Sequence, residues 1–232
     1  MRRRLLWVFV ALGVGASLTW YFRTTIFLWL LAPAGDQLSG TGQPIFTGPT
    51  EMFSVTVGLV VKGGIVTAFP VLAYNVYRLL SPLLDQEKKR LVIIFAALGF
   101  VLYLAGVAFA YWVLLPTGLK FLLAFGTDIA TPMIRISEYM DMAMAMIFWL
   151  GVVFELPLVM LLLAKLRLVS YKDFKKVRRY VPMMAFILSA IITPTFDVVN
   201  QTLVAVPLVA LFEVGVLLAW IARPKVQSTP RP

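Results

Sequence analysis

The chain has 232 residues, 61% of them hydrophobic, a formal net charge of +10, no cysteine and no histidine. Soluble domains are about 45–50% apolar, so this composition describes a polytopic membrane protein whose core is built by helices packing inside the bilayer. The absent residue types exclude disulfides, histidine-ligated zinc and histidine-based nucleophile or proton-relay chemistry. The basic excess would suggest nucleic acid in a soluble protein. Here it marks loops lying beside anionic lipid, and no nucleic-acid partner, metal or cofactor is expected.

Arg2, Arg3 and Arg4 precede an apolar run over 5–22, at the short end of what crosses a bilayer. The run also fits a signal peptide, with the arginines as n-region and Val14-Gly15-Ala16 as a small-residue cleavage site. Trp7, Trp20 and Tyr21 near its two ends instead suit the interfacial anchors of a retained span. Residues 23–51 read as a loop. Phe27 to Leu31 lies along the interface, and Gly35, Gly40, Gly42, Pro44, Gly48 and Pro49 break regular structure. A second span covers 50–77. Thr50 caps it and Glu51 stands in its first turn, where a carboxylate suits the helix dipole. Lys62, three turns in, reads as a snorkelling cation, and Pro70 predicts a bend or a freed carbonyl.

The third span is expected over 91–115, then a loop from Pro116 to Ile136. The fourth covers 137–164, with Ser137 as cap and Glu155 near the middle, two residues before Pro157. Residues 165–180 form a strongly basic loop in which Asp173 is the one acid. As a single helix, 181–222 would be about 63 Å long, twice a bilayer core. It must fold back, and Thr193-Pro194-Thr195-Phe196-Asp197 is the break. That leaves two short final spans, 181–192 and 200–222, and a polar tail over 223–232. The expectation is an all-α polytopic protein: one six-span membrane domain over 1–222, with both termini cytoplasmic. Charge supports that orientation, since segments 1–4, 78–90, 165–180 and 223–232 hold 17 of the 21 Lys and Arg residues.

Acids on such a basic chain are the candidates for chemistry. Glu155 at mid-membrane costs a few kcal/mol on insertion scales, roughly 2.5–3.5 for a central carboxylate, so it faces protein or a recess and not lipid. Glu213, in the last span, lies before Arg223 and can be satisfied locally. The loop 78–90 places Asp85 and Glu87 among four cations. Glu87 pairs with Arg90 as a solvated helix start, or offers an acidic landing point for a cationic ligand. No phosphate-binding glycine loop and no nucleophile beside a base is present, so an enzyme is not expected.

Taken in order, several motifs carry a resemblance. They are Pro49-Thr50-Glu51-x-Phe53, Phe69-Pro70-Val71-Leu72-x-Tyr74, Glu87-Lys88-Lys89-Arg90, and Ala108-Phe109-Ala110-Tyr111 with Pro116 beyond. Phe154-Glu155-x-Pro157, Arg178-x-Tyr180, Thr193-Pro194, Asp197 with Gln201, and Pro207 with Glu213 follow. From Arg2 to about Trp220 the chain resembles TatC, the polytopic subunit of the twin-arginine, Sec-independent protein translocase. The resemblance implies a glove-like concave bundle of six helices, the last two short. It implies a receptor for signal peptides with paired arginines, export of folded cargo driven by the proton-motive force, and self-association. TatA-type and, where present, TatB-type single-span proteins are the implied partners.

By the same resemblance Glu87, with Asp85 beside it, and Arg2 serve signal-peptide binding. Glu155, Gln201 and Glu213 belong to the intramembrane recess or partner contact. Pro49, Glu51 and Phe53 form the outer-loop motif that closes over the bundle. The chain departs from the family pattern in four places. Met1 stands almost at the Arg of the family's His-Leu-x-Glu-Leu-Arg segment, and Pro82 to Glu87 is one residue short. Asn75 and Tyr77 replace Gln and Trp, and Thr195-Phe196 replaces a second proline. The alternative readings are a small secondary transporter using Glu155 as a proton or cation site, and a scaffold that only organises other helices.

Overall fold

The computed structural model describes residues 2–37, 44–80, 89–124, 134–166, 168–193 and 198–222. Among them the regular structure is helical. The one bridge of extended backbone joins Ile45 to Arg135 in parallel. The protein is an all-α polytopic membrane bundle. Four of the described helices are long and apolar enough to cross a membrane, and a bent pair adds a fifth crossing if it counts as one span.

That bent pair is α1 (Arg2–Tyr21) and α2 (Arg23–Leu31), turning through 74° at Phe22. Segment 23–31, expected as loop, is helical because its apolar side chains find a protein surface. Leu30 is buried, and Ile26, Phe27 and Leu31 pack on the main core. The Trp29 ring stacks on Tyr111 at 3.8 Å, and the Tyr111 and Tyr139 hydroxyls donate to the Trp29 and Leu30 carbonyls.

Helix α3 (Glu51–Leu80) continues through Pro70. It lies against α1 with the two backbones nearly touching. A Cβ on Gly15 would meet Thr67 Oγ1 at 2.2 Å, and one on Gly63 would meet the Thr19 methyl at 2.6 Å. In lipid there is no hydrophobic drive between helices, so close approach of small residues supplies the association. Thr19 and Thr67 can sit there because each hydroxyl bonds a carbonyl of its own helix.

Helix α4 (Lys89–Phe109) does not stop near 115. A single wide turn over Ala110–Leu114 leads into α5 (Leu115–Ala124). Pro116 has no N–H to give to the preceding turn. The wide turn shifts the hydrogen-bond register just before it, and the helix carries on.

Helix α6 (Ile136–Phe154) is central and buries Tyr139, Met140, Ala143, Leu150 and others. It gives way to α7 (Leu156–Lys165) at Glu155. The short α8 (Tyr171–Val177) is closed by a capping box, in which the Ser170 N–H and hydroxyl both donate to Asp173. α9 (Val181–Ile192) and α10 (Val198–Ile221) pack together as the last pair. At 12 residues α9 is about 18 Å long, short of a ~30 Å hydrocarbon core. Its bounds coincide with the expected 181–192, and α10 begins two residues before the expected 200.

Candidate functional site

Pro157 stands in the first turn of α7 and cannot donate to the carbonyl of Val153. The ladder therefore breaks at Glu155. Its N–H donates to Val152 at 3.1 Å, and its carbonyl accepts from Leu158 and Val159 at 3.0 Å each. The Glu155 side chain is 8% exposed and borders a half-open cavity of about 480 Å3. The cavity lies between α3, the α6–α7 joint, α8, α9 and α10. Phe69, Val181, Met184, Leu208 and Phe212 are among its lining residues, and among the described residues Glu155 is the one ionisable group on its wall. Tyr103 lies within electrostatic range of Glu155, stacks on Phe69 at 3.9 Å and is itself buried. The ring fits because position 151 is glycine, where a Cβ would come within 2.5 Å of it. Chemically this is an apolar slot with one acid in its wall, suited to an apolar helix or peptide carrying a polar group.

The residues grouped with Glu155 on sequence do not all meet it. Gln201 donates from Nε2 to the Phe186 carbonyl at 3.0 Å, tying α10 to α9, and it does not line the cavity. Glu213 pairs with Arg178 at 2.6 Å, and Arg223 lies outside the described residues. Arg178 and Glu213 follow Val177 and Phe212 of the cavity wall, so this ion pair ties the start of α9 to α10 beside the recess.

The outer-loop motif also divides. Glu51 is the hub, buried at 9% exposure. Its Oε1 accepts from the Ser137 hydroxyl at 2.7 Å and the Ser137 N–H at 3.3 Å. Its Oε2 accepts from the Thr47 N–H at 2.8 Å, the Thr47 hydroxyl at 3.1 Å and Arg135 at 3.5 Å. The N-terminus of α6 is thus capped from another helix, and Ser137, expected to be the cap, stands inside the first turn after Arg135. Pro49 and Phe53 are both exposed.

Asp85 and Glu87 lie outside the described residues. Arg2 opens α1, and only its backbone position is described. Sequence reasoning did not single out Tyr103, Asp141 or Arg178 as partners of the charged groups. The signal available for them was the rarity of polar groups inside apolar runs.

Comparison with known proteins follows the same outline. The family model described as Sec-independent protein translocase protein (TatC) matches residues 1–207. The Sec-independent protein translocase protein TatC of Desulforapulum autotrophicum is 35% identical over 228 residues, 98% of this chain and 84% of that protein. The one from Escherichia coli is 32% identical over 219 residues, 94% of this chain and 84% of that protein. A crystal structure titled as the twin arginine translocase receptor TatC superposes with a TM-score of 0.84 at 30% identity, covering 95% of this chain and 96% of that one. The chain therefore belongs to the TatC family of Sec-independent protein translocase proteins.

Proposed function

We propose that this chain is the membrane receptor for twin-arginine signal peptides and the core subunit of a translocase that exports folded proteins across the cytoplasmic membrane on the proton-motive force. The observation that carries the reading is the placement of Glu155, a buried carboxylate at a proline-made helix break, on the wall of an apolar recess of about 480 Å3. A signal peptide consists of cationic residues followed by an apolar stretch. A recess of this kind accommodates the apolar part or a partner's single helix, and its carboxylate recognises a polar group carried there. The arginine pair docks on the loop 78–90 with Glu87 as its main partner, assisted by Asp85, and Arg2 takes part in signal-peptide recognition. A guanidinium pairs bidentately with a carboxylate, which distinguishes it from an ammonium.

Under this reading α9 crosses a locally thinned bilayer as the fifth of six spans, and both termini are cytoplasmic. Single-span TatA-type and TatB-type proteins assemble along the Glu155, Gln201 and Glu213 side. No catalytic step is assigned to the chain. The test is site-specific cross-linking of a paired-arginine signal peptide to the 78–90 loop, with paired-lysine peptide as control. Cross-linking that falls at least tenfold in Glu87→Gln and with the lysine peptide is expected. Undiminished cross-linking and export in Glu87→Gln overturns the assignment.

A further inference from the structure

A second charged site lies away from the recess. Lys62 of α3 donates to Asp141 of α6 at 2.7 Å, with side chains 38% and 67% exposed. Both residues belong to helices long and apolar enough to cross a membrane. Ser137, one turn before Asp141, is held by Glu51 at the start of α3, so Asp141 lies about one turn inward from that clasp, and Lys62, three turns along α3, reaches back to it through its long side chain. Gly63, next to Lys62, packs on Thr19 of α1. Trp20, Tyr21 and Trp29 follow at the α1–α2 bend, all substantially exposed, forming the aromatic band that marks a membrane–water boundary. The pair is therefore at the depth of lipid headgroups and their ester linkages, not in water.

An exposed ion pair there must be covered by polar groups. The Lys62 ammonium has three N–H donors and spends one on Asp141; the carboxylate has two oxygens and receives Lys62 on one. What remains is a donor face beside an acceptor face. Beside it is a half-open apolar cavity of about 150 Å3, lined by Ile26, Leu59, Val66, Thr67, Met144 and Lys62 itself.

We propose that Lys62 and Asp141 bind the headgroup of a phospholipid bearing both a phosphate and a primary amine, as in phosphatidylethanolamine, with one acyl chain entering this cavity. The phosphate takes the free N–H groups of Lys62, and the ammonium donates to the free oxygen of Asp141. Charge complementarity selects this occupant. A choline head has the same charges but no N–H to donate, and a glycerol head leaves Asp141 facing a net anion. The cavity supplies space for the chain and no class preference, because an acyl chain is equally apolar in bulk lipid. The site is independent of the signal-peptide reading above.

The experiment uses the purified full chain, delipidated in detergent, with phosphatidylethanolamine, its N-methylated series up to phosphatidylcholine, and phosphatidylglycerol of identical acyl chains. Native mass spectrometry counts bound lipid in pairwise competition, and tryptophan fluorescence follows thermal unfolding. At least a threefold preference for the primary amine over choline and glycerol heads is expected, falling with each added methyl. Lys62→Met and Asp141→Asn should abolish it. Because a lone charge left in lipid can itself impair folding, Lys62→Met/Asp141→Leu removes both charges together. This variant should fold with an unchanged unfolding temperature in the absence of lipid and bind all heads equally. Equal binding of all heads by the unaltered chain, or a preference surviving in the double variant, overturns the proposal. So does a pair that proves indifferent to lipid and is instead needed to co-purify a single-span partner.

Discussion

The two ends of α6 meet carboxylates in opposite ways. At its N-terminus Glu51, brought in from α3, accepts hydrogen bonds from Thr47, Ser137 and Arg135 and joins three segments into one clasp. At its C-terminus Glu155 sits at a break in the helix and looks onto a cavity. Both are buried, so burial alone does not tell them apart. The difference lies in the surroundings. Donors crowd Glu51 from every side, as in a structural site, whereas the neighbourhood of Glu155 is mostly apolar and open to an incoming group. These two buried acids are therefore told apart by their immediate neighbours, not by depth.

The contrast breaks most visibly at the clasp. Glu51→Ala leaves the Thr47 and Ser137 donors without their acceptor at a partly buried site, which costs more than losing a hydrogen bond in water. Thermal unfolding in detergent followed by tryptophan fluorescence should show a larger loss than any carboxylate substitution at Glu155, Glu213 or Asp173. Glu51→Gln should recover part of it, since one amide oxygen still accepts. If Glu51→Ala unfolds like the unaltered chain, the hub is not structural and the contrast with Glu155 fails.

Glu155→Gln should behave the other way round. It keeps shape and removes charge in a low-dielectric wall, so stability should change by less than about 1 kcal/mol, in either direction. Export of folded cargo and co-purification of single-span partners should fall severalfold. An unfolding temperature that drops as far as that of Glu51→Ala would make Glu155 a second structural acid.

Much of this arrangement is legible in the chain, for physical reasons that can be named. Helix α9 is readable as 181–192 because length, charge flanks and a Thr-Pro break constrain a terminal hairpin. The Glu155–Pro157 break is not legible as such, because 137–164 reads as one span and Pro70 has the same missing N–H without ending α3. The continuation of the third long helix to Ala124 is not legible either, because Pro116 looks like a terminator unless the wide turn at Ala110–Leu114 is known to precede it. Nor are the pairs Lys62–Asp141 and Arg178–Glu213. Helices apolar on nearly every face carry no periodic stripe to say which side meets which neighbour. Lateral pairing therefore has to be seen.

Arg178–Glu213 is the smaller, exposed counterpart of the buried clasp. Its side chains are 58% and 37% exposed, so solvent and salt screen it despite the 2.6 Å contact. A double-mutant cycle with Arg178→Met and Glu213→Gln should give a coupling of about 0.2–1 kcal/mol, falling with added salt. A coupling above the Glu51 effect would mean that the recess is braced mainly by this pair.

The smallest effect is expected at α8, and it sets the lower end of the same scale. Asp173 accepts the Ser170 hydroxyl and N–H in the capping box, and these bonds, with lesser help from Lys176, hold its carboxyl below the usual carboxylate range. A group whose folded pKa is lowered contributes stability above its unfolded value, near 3.9. That stability is lost as pH falls through the lower folded value. Amide exchange in α8, corrected for intrinsic rates, should therefore be constant from pH 7 to 5 and accelerate below about 4. In Asp173→Asn the protection should be weaker at neutral pH and flat with acidification. The change should stay confined to α8, because Asp173 caps a surface helix with no buried residue. If acid loosens α6 in step with α8, the local cap is coupled to the core, and surface and buried carboxylates no longer form separate classes in this bundle.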